Sequence, residues 1–267
     1  MPMLLFLSLT GIILSLVLLC FNAIRYKPAI YLGTFFFCVS LYGLNQYALL
    51  DSQSVLLISI FCTNFTFLYY LTGPVLYLYI RSVLTDNSRM KKTDMLHLIP
   101  ALVYLTASLP YILSSYSFKV EIARAIVKDV SFAGTYKFTF LSEIFPIYMV
   151  YLSRPILVLA YTLWAGIMFI RYIMRHEKLF VLSGQYFMTK WLSVFLGFQL
   201  LLILCHLFSV FKTFTEGSDV FFTLNALQIF SALGMIGLLG SPFFFPGILY
   251  GLPRIPDSFL KKKIREE

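Results

Sequence analysis

The sequence predicts an all-α, polytopic membrane protein with seven transmembrane helices. Three observations carry that reading. Of 267 residues, 60% are hydrophobic and only 12% are charged, whereas a soluble domain carries about 25% charge. The mean hydropathy of +0.84 is too high for the surplus to be hidden in one soluble core. Apolar runs of about 20 residues, the length that crosses a bilayer as a helix, recur along the chain. A barrel would show short stretches of alternating polarity instead.

The runs fall at 3–24, 29–50, 54–80, 96–115, 145–170, 191–211 and 220–245. The first is apolar from its start and lacks both a basic leader and a small-residue cleavage site, so it reads as a spanning helix rather than a signal peptide. Turn-forming stretches separate several runs: "RYKPA" at 25–29, "DSQS" at 51–54, "TDNSRMKKTD" at 85–94 and "TEGSD" at 215–219. The 29-residue stretch 116–144 is too polar to span. In it Phe118, Ile122, Ile126 and Val130 recur every fourth residue among charged neighbours. That spacing predicts an amphipathic helix, lying on the membrane surface or over the bundle. Cys20, Cys38, Cys62 and Cys205 all fall inside apolar runs and read as small core residues.

Charge asymmetry predicts the orientation. Of the 21 Lys and Arg residues, fifteen lie on the side that includes the C-terminus, five lie on the other, and Arg154 lies within a span. The positive-inside rule then puts the C-terminus in the cytoplasm and the N-terminus outside, and an odd number of spans agrees in placing the termini on opposite sides. The net charge of +9 is explained by this topology and does not point to nucleic acid.

No nucleophile elbow, phosphate loop, zinc-protease motif or metal-ligand set is present, and no span holds a paired carboxylate. Neither an enzyme nor a cofactor or metal site is expected. The polar residues inside the spans are more informative. Asn45 and Gln46 lie near the outer end of the second span, and Asn64 lies deeper in the third. Arg154 is two to three turns into the fifth, His206 is in the outer half of the sixth, and Asn225 and Gln228 open the seventh. Gln199 sits mid-span. Polar groups at a shared depth tend to face a wet cavity, which predicts a ligand pocket in the outer half of the bundle. The alternative for each is a plain interhelical hydrogen bond worth about 1 kcal/mol or less.

Arg154 has no carboxylate in any span. Glu143, eleven residues away, is about 16 Å off along a helix. The guanidinium must therefore find carbonyls, water or a bound anion, or else snorkel to lipid headgroups. Two backbone features nominate moving parts. Gly73-Pro74 is expected to kink the third span. Ser231, Gly234, Gly237 and Gly240 leave a small-residue strip on the seventh, where a neighbour can approach closely. Static packing explains both equally well.

"TGPVLYLYIRSVL" (72–84), then "KKTDMLHLIP" (91–100), then "FFPGILYGLP" (244–253) resemble segments of bacterial membrane-bound transcriptional regulators of the AraC type. In that family a multi-span N-terminal half precedes a cytoplasmic helix-turn-helix domain. The resemblance implies a sensor domain at 1–245 and, at 246–267, a cytoplasmic tail or linker to an output domain that this chain does not contain. The implied role is detection of an external or lipid-borne ligand at a bacterial inner membrane. Expected partners are membrane lipid, a small ligand of unknown chemistry and a second copy of the chain, with DNA reached only through the missing domain. The competing reading is a stand-alone membrane protein, such as a transporter subunit or accessory protein.

Overall fold

The computed structural model describes residues 2–24, 26–175, 185–215, 221–245 and 248, with the side chains of Asn225 and Gln228 outside that description. The tail expected at 246–267 and the turn expected at 215–219 lie almost wholly outside it. Every regular element among the described residues is helical. Helix α1 (Pro2–Val17) runs on through one wider turn at Leu18–Asn22, and Pro28 starts α2 (Pro28–Leu50). Proline is suited there, because a first-turn N–H would have no helical partner anyway. Next come α3 (Val55–Phe61), α4 (Tyr69–Thr85) and α5 (Ile99–Ile112), the last entered through a tight turn at Lys92–Leu98. Three shorter elements follow, α6 (Tyr116–Lys128), α7 (Phe132–Thr135) and α8 (Leu141–Ile144), then the long helices α9 (Ile147–Arg175), α10 (Gln185–Thr215) and α11 (Phe221–Phe244).

Five helical stretches are long and apolar enough to cross a membrane, and a sixth is gained if the bent pair α3–α4 counts as one span. Helix occupies each of the apolar runs, the third of them in two pieces, because uninterrupted apolarity over such lengths leaves few alternatives to helix.

One expectation is corrected. The sequence predicts a kink of the third run at Gly73-Pro74, yet both residues lie inside α4, and the 53° bend falls between Phe61 and Thr66. Thr63 adopts a left-handed φ of 64° there, which a β-branched residue rarely takes. Asn64 makes the break sustainable. Its side-chain amide donates to the carbonyls of Ser59 (3.1 Å) and Ile60 (2.8 Å), groups that the end of α3 leaves without helical partners. Pro74 lies in the second turn of α4, and the helix continues through it. Gly73 serves close approach there, since a Cβ on it would come within 2.8 Å of the Tyr161 ring on α9.

Packing closes the six long helices into a ring in the order α1, α2, α4, α9, α10, α11 and back to α1. The α1–α2 seam is keyed by small residues. Ser40 fills the space over Gly11, Ser8 fills that over Gly43, and the Ser15 hydroxyl donates to the Gly33 carbonyl at 2.7 Å. Helix α5 leans on α4 from outside the ring. The amphipathic stretch does form a helix: α6 packs on α3, burying Ile122 and Ile126 with Ile58, Cys62 and Tyr111, while Phe118 and Val130 stay exposed. Cys20 departs from the expectation for the cysteines and is exposed, whereas Cys38, Cys62 and Cys205 are buried.

Candidate functional site

The ring has two unlike ends. Around the C-terminal parts of α4 and α9, its interior is dry and aromatic. Trp191, Phe195, Phe35 and Phe36 are fully buried. Phe195 meets Phe35 edge-on at 5.4 Å between centroids and Tyr79 at 5.7 Å. The one polar pairing of this group is internal: Trp191 Nε1 donates to the Tyr79 hydroxyl at 2.8 Å.

The opposite end, built from the N-terminal turns of α4 and α9 and the second halves of α2 and α10, is where the candidate residues gather. Arg154 is half-buried there. One guanidinium nitrogen donates to the Tyr104 hydroxyl at 2.7 Å. The charged group also sits 5.0 Å from the Tyr104 ring and 4.8 Å from the Tyr151 ring. The sequence leaves carbonyls, water, an anion or headgroups as its partners. The structure supplies aromatic faces and a phenol instead, partners for a cation that carry no formal negative charge. Nε of Arg154 is buried without a hydrogen-bond partner among the described residues.

The tyrosine cage is itself organised. Tyr104 stacks on Tyr70 at 4.9 Å, and the Tyr70 hydroxyl pairs with that of Ser153 at 2.7 Å. A second network stands beside it. The Gln46 amide donates to the Tyr42 oxygen at 2.7 Å, and the Tyr42 hydroxyl is bonded to the His206 imidazole. Since a phenol has one proton, accepting from Gln46 leaves Tyr42 free to donate to the His206 ring. Tyr42 also meets Tyr69 edge-on at 4.6 Å. The two networks meet on α4, where Tyr69 faces Tyr42 and its chain neighbour Tyr70 faces Tyr104.

The structure therefore brings Gln46 and His206 together and places Arg154 in the same polar end. Asn45 is buried on α2 with its side-chain oxygen unpartnered among the described residues, as is that of Gln199 on α10. Asn64 plays a structural part. Besides capping α3, it accepts from Lys119 Nζ of α6 at 3.0 Å. Asn225 and Gln228 belong to α11, and their side chains lie outside the described residues. On the same helix, Gly234 lets α10 approach until a Cβ would stand 3.3 Å from the Leu202 backbone, and the Phe198 ring occupies the space beside Gly237. Gly240 faces open space, so the close-packed strip is shorter than expected.

Sequence reasoning missed the tyrosines. Tyr42, Tyr70, Tyr104 and Tyr151 are four among 18, and an aromatic at helical spacing reads as core. The available signal was Arg154 itself, since a cation without an internal acid needs ring faces or hydroxyls nearby. The ion pair between Arg81 of α4 and Asp94 was also missed. Its two contacts measure 2.5 and 2.8 Å, and Asp94 accepts in addition from the Lys91 backbone N–H. It fastens the 85–94 loop to the bundle.

Compared with known protein families, curated proteins and solved structures, the chain matches none.

Proposed function

We propose that this chain is a seven-span membrane sensor module in which the Arg154 cage recognises the anionic group of an external or lipid-borne ligand. The observation that carries the reading is a half-buried guanidinium with an unpartnered Nε and, among the described residues, only uncharged partners. A ligand carboxylate, sulfonate or phosphate would supply the missing counter-charge through charge-assisted hydrogen bonds, which are about twice as strong as neutral ones. The tyrosine rings give the apolar flank, and Tyr42, Gln46 and His206 give neighbouring polar contacts.

Helix α11 is taken as the seventh span, with the N-terminus outside and the C-terminus in the cytoplasm, on the fifteen-to-five distribution of basic residues. The polar end then faces outward. The resemblance of 72–84, 91–100 and 244–253 to AraC-type membrane regulators supports a helix-turn-helix domain as the output. The dry, aromatic opposite end counts against a transport path.

The test fuses a helix-turn-helix domain after residue 267 and follows a reporter promoter while anionic amphiphiles and extracts of the growth medium are added. The reading expects at least one addition to change output in the wild type and not in Arg154→Gln at equal membrane abundance. Output that never responds, or responds equally in Arg154→Gln, overturns it. Reporter fusions at residues 90, 130 and 262 test the orientation, and external activity at 262 would reverse it.

A further inference from the structure

A concavity lies at the end of the ring away from Arg154, where the last turns of α4 and α9 meet. It holds about 300 Å³, and its lining includes Leu84 from α4 with Trp164, Ile167, Met168, Arg171 and Arg175 from α9. That is the lower end of the range for small-molecule sites, roughly 300–1,000 Å³. Trp164, Met168, Arg171 and Arg175 follow one another in steps of three and four, with Ile167 beside Met168, so they form one face of the helix.

The lining divides by chemistry. Leu84, Ile167, Met168 and the Trp164 ring make an apolar trough, and Arg171 and Arg175 stand over its end as two exposed cations. Among the described residues neither arginine meets a carboxylate within ion-pair distance; Arg81, by contrast, has Asp94. The macrodipole of α9 favours a cation in its last turn. That suits Arg175, and the positive-inside bias suits both arginines, but neither effect calls for their standing together beside an apolar trough.

We propose that this groove is a binding site for an anionic glycerophospholipid. Arg171 and Arg175 hold the phosphodiester, for which the planar guanidinium fork is better shaped than an ammonium. One acyl chain lies along Leu84, Ile167 and Met168 and against the Trp164 ring. Basic pockets between membrane helices suit acidic headgroups in this way. A zwitterionic lipid brings its own ammonium beside the arginines, and a free phosphate leaves the trough empty. The proposal needs only a membrane-spanning chain and is independent of the sensor reading.

The test uses the full chain purified in neutral detergent. Retained lipid is counted by native mass spectrometry after adding phosphatidylglycerol, phosphatidylcholine or inorganic phosphate, and thermal stability is followed in parallel. The wild type is expected to retain phosphatidylglycerol in preference to phosphatidylcholine. Arg171→Gln with Arg175→Gln should weaken that retention roughly tenfold to thirtyfold. Ile167→Trp, which fills the trough and leaves every charge in place, should also lose it. Lys91→Gln with Lys92→Gln should keep it. Because the altered side chains are all exposed, the variants should match the wild type's melting temperature in phosphatidylcholine. The proposal is overturned by no preference between the lipids, or by equal stabilisation with inorganic phosphate. It is also overturned by a preference that Ile167→Trp leaves intact and the lysine pair removes, the pattern of diffuse surface attraction.

Discussion

The two ends of the helical ring use their aromatic residues differently. At the dry end, Trp191, Tyr79, Phe35 and Phe195 fill volume, and the Trp191 indole N–H is taken up by the Tyr79 hydroxyl. At the polar end, Tyr42, Tyr70 and Tyr104 turn their hydroxyls toward Ser153, Arg154 and His206. Burial there leaves polar atoms on Arg154 and Asn45 without partners among the described residues. Among the described residues, unpartnered buried atoms also occur on Asn22, Ser8 and Ser40, but at the polar end one of them belongs to a cation, and a ligand anion can improve on the free state there because unsatisfied buried polar groups are costly.

The contrast makes quantitative statements, the largest at the dry end. Trp191→Ala removes a fully buried ring and strands the Tyr79 hydroxyl. It should cost about 3–5 kcal/mol, read as a drop in thermal or denaturant midpoint in detergent. A loss below about 1 kcal/mol would mean that this end is not tightly packed. Gly237→Leu comes next. Phe198 already occupies the space beside Gly237, so overpacking should cost about 1–3 kcal/mol and disturb coupling through α11 without impairing insertion. Gly240→Leu, facing open space, is its control and should be near neutral. Equal effects would show that the α10–α11 contact is not keyed at Gly237.

The polar end should respond less in stability. Tyr42→Phe removes the hydroxyl that links Gln46 to His206 and should cost about 1 kcal/mol, measured by the same melts. Arg154→Met should change stability least. It exchanges a half-buried cation lacking an acidic partner among the described residues for an apolar chain of similar length, so no carboxylate is left buried without its counter-charge. A melting temperature that falls as far as in Trp191→Ala would show that Arg154 holds the fold together, and the contrast between the ends would collapse.

Helix placement was readable from the sequence because long apolar runs in lipid admit one backbone solution, in which every peptide group bonds within its own segment. The bend in the third run was not. Gly73-Pro74 is the conventional breaker, but α4 runs on through it. The break lies instead at Thr63 and Asn64, whose capping bonds depend on side-chain geometry. Arg154 and His206 were legible as outliers in apolar surroundings. The residues that partner them were not, since nothing local separates a caging tyrosine from a packing one. Asn64 shared their depth for a different reason, as a cap and as the acceptor for Lys119.

Closure of the ring restricts how the molecule can deform. Each long helix is held like a stave in a cask, flanked by a neighbour on either side. Swinging any one outward opens two seams at once, and on the α1–α2 side the serine-and-glycine keys would have to disengage together. An axial shift of α11 would have to carry Gly234 past the Leu202 backbone and Gly237 past the Phe198 ring, while Met235 and Leu239 left their places beside Gly43 and Gly11. The ring thus ties α11 to both of its neighbours, and any displacement of that helix would be felt on α1 and α10 together.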